Sequence, residues 1–309
     1  MLWVGIDEAG YGPNLGPLVM TAVIAEGPDD RPIDVWSDLA ATVSRARGPA
    51  DRLWVDDSKQ VYKARKGRDR LDAACLAVVE ASGRGRPKTF GALLESVGAG
   101  TLDEVELSPW IEDDPRLDLS EPAIVDPLAG AHWRIVEARG VVVGPSRFNA
   151  GLDRAGSKAV VHFSAFAELL GHIWERAGEG ISASVRGDKH GGRHFYGDAL
   201  AGVFPEARIA IGPEGPDLSR YTMSEGARRL DLSLLPRADA GDGLVALASL
   251  VSKAVRERWM DAFNAHWSAR IPGLKPTAGY PADAARFRTA IEADCRALGL
   301  DPSIWWRRK

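Results

Sequence analysis

The sequence predicts an α/β fold with a mixed sheet, and three observations carry that prediction. Short apolar runs rich in Val, Ile and Thr alternate with amphipathic stretches of helical period, the pattern of a sheet layered with helices. The first two runs, "LWVGID" and "GPLVMTAVIAE", follow one another across a Gly/Pro/Asn loop with no helix between them. Two sequential strands of that kind argue against a purely parallel sheet. Hydrophobic residues make up 45% of the 309-residue chain and charged residues 27%, enough apolar material for a substantial core.

The elements follow in order. Residues 33–46 predict a helix. Residues 59–82 predict a second, with Val61, Leu71, Ala74, Cys75, Ala77 and Val78 on one face behind a capping signal at Asp57-Ser58. Residues 84–130 are Gly/Pro-rich and acidic and read as an insertion. "RIVEARGVVVG" (134–144) resumes strand character. Residues 164–177 are helical, with Phe166, Leu169, Leu170, Ile173 and Trp174 on one side. "ISASVRGD" alternates as a strand that ends at Asp188. "HFYGDALAGVF" reads as a short helix. "ARIAIG", "SRYTM" and "RRLDLSLLPRAD" read as strands, the last ending at Asp239. Residues 243–267 form a strong helix, apolar first and basic later, with Asp242 as its N-cap. A further helix lies near 282–298. There is no internal repeat.

Composition narrows the function classes. Cys75 and Cys295 are the two cysteines, far apart and outside any CxxC spacing, so a disulfide scaffold or structural zinc site is not expected and a reducing, cytoplasmic setting fits. No apolar run approaches the ~18 residues of a membrane span, and "MLWVGIDEAG" lacks a basic, signal-like start. The net charge of −4 hides an asymmetry. Residues 101–126 hold nine acidic residues and one basic, a net of −8, which leaves +4 for the remainder. "KQVYKARKGRDR" (59–70) holds six basic residues and one acid, and residues 256–309 hold ten basic against six acidic. Local basic patches of this kind can bind a polyanion on an acidic protein.

Asp7, Asp188 and Asp239 share one property: each is placed at the C-terminal end of a predicted strand, where open α/β sheets form ligand sites. Converging carboxylates repel unless protonated or bridged by cations. Oxygen-only ligands suit Mg²⁺ or Mn²⁺, and two such ions support phosphodiester hydrolysis. Taken singly, each Asp is an ordinary turn or cap residue. Glu8 adjoins Asp7, and adjacent strand residues face opposite sides, so the two share a site only where the strand twists or ends. A dinucleotide loop at Gly10, Gly12 and Gly16 has the wrong spacing, and an extended run follows instead of a helix. A zinc site from Asp188, His190 and His194 is disfavoured by Gly191-Gly192 between the histidines.

"GIDEAGYGPNLGPLV" (5–19) resembles the opening motif of type 2 ribonucleases H, DEAGRGP followed by a short stretch and GP. "DDSKQVYKARKGRDRL" (56–71) is similar to the family's DSK motif with its basic helix. "YGDALAGVFP" (196–205) resembles the helix after its third aspartate. "RADAGDGLVALASLVSKAVRERWM" (237–260) resembles its K-A/G-D-A segment and AAS-x-x-AK-V-x-RD helix, and "AGYPADAARF" (278–287) its GYP segment. The motifs occur in family order, and GYP and FP look more like the archaeal and eukaryotic branch.

The resemblance implies a ribonuclease H-like fold: a mixed five-stranded core sheet flanked by helices. It would be a single domain over 1–309, with insertions near 84–130 and 212–235 and a helical C-terminal extension from about 256. It implies that Asp7, Glu8, Asp188 and Asp239 are catalytic and hold two Mg²⁺ or Mn²⁺ ions. Gly10, Tyr11, Gly12, Lys59, Lys253 and Tyr280 would meet the substrate, an RNA–DNA hybrid or DNA with an embedded ribonucleotide. A monomer is expected. One departure stands out: Tyr11 occupies the place of the family's arginine, in a segment that detects the 2′-hydroxyl separating RNA from DNA. That departure and the insertions leave two alternatives: a diverged nuclease for another nucleic-acid structure, or a nucleic-acid-binding homologue without catalysis.

Overall fold

The computed structural model describes residues 1–46, 52–98, 108–111, 116–117, 128–178 and 180–308. Strand β1 (Leu2–Ala9) buries Leu2, Val4 and Ile6 on one face and carries Trp3, Gly5 and Asp7 on the other. Strand β2 (Leu18–Glu26) runs antiparallel to it, with Asp7 opposite Thr21. Residues 18–25 are all buried, so this strand has core on both sides, as its unbroken apolar run requires. Strands β3 (Val43–Ser44) and β4 (Leu53–Trp54) make a separate two-stranded ladder.

The main sheet is completed by β5 (Arg134–Val143), β6 (Ser182–Asp188), β7 (Arg208–Glu214), β8 (Ser219–Glu225) and β9 (Arg228–Leu235). Among the described residues its order is β5-β2-β1-β6-β9-β8-β7. Strand β6 lies parallel to both β1 and β9, while β2, β5, β8 and β7 join antiparallel. The mixed five-stranded core is therefore β5-β2-β1-β6-β9, with β8 and β7 added at one edge.

Helices α1 (Val35–Asp38), α2 (Ser58–Lys63), α3 (Gly67–Ala81) and α4 (Phe90–Val97) precede β5. Helices α5 (Pro145–Ala155), α6 (Lys158–Ala177) and α7 (Gly197–Val203) supply much of the core on the face of Val4 and Ile6. Helix α8 (Gly243–Arg270) packs on the opposite face with α3 and α4, and α9 (Pro281–Ala297) follows it. Asp242 caps α8 as expected, its Oδ1 accepting from the N–H groups of Leu244 (2.9 Å) and Val245 (3.2 Å). Helix α8 touches β1 at Gly5, where an added Cβ would lie 2.2 Å from the carbonyl carbon of Leu244.

Several expectations shift. The helix foreseen over 33–46 is the single turn α1, capped by Asp34. The chain then turns through Leu39–Thr42 into the extended pair Val43–Ser44, as β-branched Thr42 and Val43 favour. The helix foreseen over 59–82 is two helices. Lys66 adopts a left-handed φ of 59°, and Gly67 fits so tightly beneath α2 that a Cβ would lie 1.9 Å from the Tyr62 carbonyl oxygen.

Within 84–130, Thr89 caps α4, which buries Phe90, Leu93, Leu94 and Val97 in the core. Most of the acidic stretch 101–126 lies outside the described residues. The extra strands foreseen near 212–235 divide: β9 belongs to the five-stranded core, and the additions are β7 and β8, over 208–225. The C-terminal extension returns to the N-terminal loop, where Trp306 bridges Leu15. Among the described residues no helix is long and apolar enough to cross a membrane.

Two predictions follow from the packing. Gly5→Ala forces backbone apart at the β1–α8 contact and should cost about 3 kcal/mol, read as a shift in the urea midpoint. Glu137 on β5 accepts from His172 Nε2 (2.9 Å) and lies 3.4 Å from Arg176 Nε on α6. Burial alone would raise its carboxyl, but these partners outweigh burial and hold it below the usual 4.5. A depressed carboxylate adds stability above its unfolded pKa, and that contribution disappears as pH falls through the folded value. Glu137→Gln should therefore cost about 1 kcal/mol at pH 7, a deficit that closes in unfolding curves recorded well below pH 4.5.

Candidate active site

Asp7 lies on the α8 face of β1 and is 8% exposed. Its Oδ1 accepts from the Glu8 N–H at 2.8 Å, and its carboxylate hydrogen-bonds to the Ser249 side chain on α8. Ser249 in turn lies 3.0 Å from Ser58 Oγ at the start of α2. Ser252, one turn further along α8, donates to the Asp7 carbonyl (3.0 Å) and contacts Thr21 Oγ1 (2.9 Å). The opening motif, the DSK segment and the LAS helix thus meet at one carboxylate.

Glu8 leaves the strand on the opposite face, as strand alternation demands. Its Oε2 lies 3.5 Å from Nε2 of buried His162 on α6. Asp188 is the last residue of β6, and its Oδ1 accepts from the Ala238 N–H at 3.3 Å. Asp239 does not end a strand: β9 stops at Leu235, and Asp239 sits on the 3₁₀ turn Ala238–Ala240 before the Asp242 cap.

Electrostatics links the four. Burial and then Glu8 push Asp7 well above the usual 3.8, with Asp239 adding to the rise. Burial raises Asp188, and Glu8 adds to it. Burial raises Asp239, followed by Asp57 and Asp188. After burial, Asp7, Asp188 and Asp239 are therefore each disfavoured further by another carboxylate of the set. Such mutual repulsion is relieved by a cation or a proton.

The donor set, all carboxylate oxygen, has the chemistry of a hard divalent cation. Among the described residues, however, no three His, Cys, Asp or Glu side chains stand close enough to enclose one. Asp7 and Glu8 emerging on opposite faces is one reason for that.

The other expected residues divide. Lys59 is exposed and close enough to Asp239 to lower its pKa. Gly12 is exposed, with no atom within 4 Å of where a Cβ would stand. Gly10 has a φ of 90°, and a Cβ there would lie 2.4 Å from the Pro17 carbonyl oxygen. Tyr280 is 48% exposed, its ring centroid 5.9 Å from the Arg256 guanidinium. The Lys253 ammonium bonds Glu257 one turn on and lies 4.6 Å above the Tyr62 ring. Tyr11 lies edge-on to His162, ring centroids 4.9 Å apart, with Lys158 Nζ 4.9 Å from its own ring centre.

His190 lies in the loop after β6, as expected, and its ring joins an aromatic cluster, 4.4 Å from the His162 ring and 4.6 Å from Phe166. The strand after the Gly10–Gly16 segment bears out the argument against a dinucleotide loop.

Sequence reasoning missed two arginines that hold this loop. Arg307 Nη1 donates to the carbonyls of Gly10 (2.6 Å) and Gly16 (3.3 Å), and Nη2 to that of Tyr11 (2.9 Å). Arg256 Nη2 donates to the carbonyls of Leu15 (3.2 Å) and Ala278 (3.0 Å). The GYP segment joins them, Gly279 accepting from the N–H groups of Asn14 (2.8 Å) and Leu15 (3.2 Å). Burial, then Arg256, pushes Arg307 down to about 9, which still leaves it charged at neutral pH. The aromatic-basic run "WWRR" at 305–308 was the available signal. Asp57, read from sequence as a cap, both caps α2 (2.7 Å to the Lys59 N–H) and faces Asp239.

No protein-family profile matches the chain, and no curated protein matches it. Solved structures do. Ribonuclease HII of Archaeoglobus fulgidus, solved with PCNA, aligns at TM-score 0.43 and 16% identity over 100% of this chain and 95% of that one. Ribonuclease H2 of Pyrococcus horikoshii aligns at 0.43 and 16%, over 99% and 92%. Bst-RNase HIII in complex with Mn²⁺ aligns at 0.44 and 16%, over 99% and 66%. At such identity and overlap these likenesses assign no residue roles, which rest on the geometry above.

Arg307→Met removes a charged donor from three carbonyls and should cost about 3 kcal/mol. Amide hydrogen exchange should rise through residues 10–16 while β1 and β6 keep their protection.

Proposed function

We propose that this chain is a divalent-cation-dependent endonuclease of the ribonuclease H type. It hydrolyses the RNA strand of RNA–DNA hybrids, or the phosphodiester at a ribonucleotide embedded in DNA. The observation that carries this reading is the grouping of Asp7, Glu8, Asp188 and Asp239, in which burial and neighbouring carboxylates raise Asp7, Asp188 and Asp239. They stand beside a glycine loop with open space at Gly12. We read residues 1–309 as one such domain, with GYP and FP favouring the archaeal and eukaryotic branch.

The four carboxylates would hold two Mg²⁺ or Mn²⁺ ions, which when bound lower the pKa of water and neutralise charge on the phosphate. Ser249 and the Glu8 N–H fix the Asp7 carboxylate, and backbone N–H groups near Ala238 fix Asp188. Exposed Lys59 would meet a phosphate oxygen, and exposed Tyr280 would stack on the sugar beside the ribonucleotide. Lys253, bonded to Glu257, would act by holding Tyr62 and Glu257 rather than by touching substrate. Gly12 leaves the backbone open to a sugar.

One observation favours a second reading, a nuclease of this fold for another structure. Tyr11 is packed against His162 where the family's arginine is expected, which changes the group available to sense the 2′-hydroxyl. The retained carboxylates weigh against binding without catalysis, since clustered negative charge weakens phosphate binding.

Duplexes with a single ribonucleotide, a full hybrid and all-DNA, incubated with Mg²⁺ or Mn²⁺, separate these readings. The ribose-containing duplexes should be cut, and Asp7→Asn should slow cutting about a hundredfold or more. Cleavage of all-DNA would move the assignment to the second reading. No cleavage of any duplex with either metal would sink both.

A further inference from the structure

The sheet is covered unequally. Helix α8 lies over β1 and β2, but no residue pointing to that same side from β6, β9 or β8 is buried. These positions are polar or charged with one exception: Ser184, Arg186 and Asp188 on β6; Arg229, Asp231, Ser233 and Leu235 on β9; Arg220, Thr222 and Ser224 on β8. Register aligns three of them in one row, Arg186 opposite Ser233 and Ser233 opposite Arg220. At a strand spacing of about 4.8 Å the row spans roughly 10 Å.

Beside this row is a cleft of about 330 Å³ lined by Arg186, Arg220, Ser233, Arg237, Gly241 and Asp242, among others. Its one carboxylate, Asp242, is already engaged: Oδ2 bonds Arg186 at 3.1 Å, and Oδ1 caps α8. Arg237 and Arg220 make no ion pair within 4 Å among the described residues, although Arg220 is near enough to Asp231 to help lower its carboxyl. The cleft is therefore concave and net positive, with a hydroxyl from Ser233 and apolar lining from Leu218, Leu235, Pro236 and Ala238.

It is also continuous with the carboxylate site. Arg186 precedes Asp188 by two residues on β6, about 7 Å along the strand. Arg237 and Gly241 flank Asp239 within two residues on either side. Strand β8, which supplies Arg220, is one of the two additions to the five-stranded core.

We infer that this cleft binds the phosphodiester backbone of the strand being cut, at a phosphate next to the reacting one, with Arg220 and Arg237 as its ligands and Arg186 held in place by Asp242. The inference rests on the nuclease reading above. Charge complementarity selects the occupant: a polyanion approaching four carboxylates needs compensating cations close by. Lys59 supplies one on the α2 side, and the arginine row supplies the opposite side. A bare sheet face without ring side chains offers phosphate contacts rather than base stacking.

The test measures binding, separately from cleavage. The full chain carrying Asp7→Asn is titrated against a fluorescein-labelled 20-base-pair RNA–DNA hybrid in Mg²⁺ at several KCl concentrations. Adding Arg220→Ala and Arg237→Ala should weaken binding about tenfold and reduce the slope of log K against log salt by about 2. Arg296→Ala, on the exposed side of α9, should leave both unchanged. Neutral methylphosphonate linkages beside the ribonucleotide of a single-ribonucleotide duplex should erase the parent–variant difference when placed in the cut strand. In the complementary strand they should preserve it.

An unchanged affinity and slope in the double variant overturns the inference while leaving the nuclease reading intact. So does an equal loss from Arg296→Ala, or the reverse methylphosphonate pattern. Failure of the Asp7→Asn parent to bind the hybrid removes both.

Discussion

The close approach of α8 to β1 at Gly5 is the contact on which the rest of the arrangement depends. With no side chain at Gly5, the first turn of α8 sits directly on the strand. Everything at the site is then measured from that point. Two residues along β1, Asp7 is brought over Ser249 and Ser252. Just before the helix, Asp242 must cap it, which sets the 3₁₀ turn bearing Asp239 beside the end of β6. Ser58 reaches Ser249, so α2 is docked by the same helix. A larger residue at position 5 would separate these partners together rather than one at a time, because they share one helix.

The loop after β1 is organised from the opposite end of the chain. Carbonyls of Gly10, Tyr11, Leu15 and Gly16 point inward to two buried guanidiniums, Arg307 and Arg256. Arg307 has no carboxylate partner among these contacts; it rests on carbonyl oxygens and, 4.1 Å away, the Phe148 ring. Two like charges buried together are unfavourable by themselves; the carbonyl acceptors offset this for Arg307, and for Arg256 the buried Glu257 carboxylate does so as well, 3.3 Å from Nη1. The consequence is a loop whose inward hydrogen bonds are used up while Gly12 faces open space. Position 11 is a tyrosine, and the guanidinium groups of Arg256 and Arg307 shape the loop through its carbonyls.

How much of this was readable in the sequence depended on whether the signal was local. The strands of the main sheet, α8 with its Asp242 cap, and α9 follow from periodicity and capping chemistry, whereas β3 and β4 do not. The order of motifs pointed to the four carboxylates, and burial and repulsion raise Asp7, Asp188 and Asp239, but the strand-end argument does not hold for Asp239, which lies on a turn beyond β9. What sequence could not carry was pairing across long separations. The resemblance alone puts Lys253 near a substrate phosphate, and its contacts with Glu257 and Tyr62 are set by the fold. The break between α2 and α3 turns on one tight contact at Gly67. Strand β9 read as an addition because its place between β6 and β8 is a matter of sheet order, which local pattern does not specify. Arg307 lies nearly 300 residues from the loop it holds, and a short "WWRR" run has no period to announce its role.

Glu8 shows what the site demands of the strand that carries it. A regular strand places Asp7 and Glu8 on opposite faces, and their surroundings confirm this, one beside Ser249 and the other beside His162. Two carboxylates so placed serve one reaction only if the substrate approaches the rim of the sheet, where both faces are accessible. Strand β1 ends one residue later at Ala9, and Gly10 turns with a positive φ, so the rim is reached at once. Glu8 raises both Asp7 and Asp188 across that rim, so its charge is felt on the other face although its side chain departs from it. The adjacency in "DEAGYG" is then a consequence of geometry: consecutive residues at a strand's last turn are the shortest way to present carboxylates around both sides of one edge.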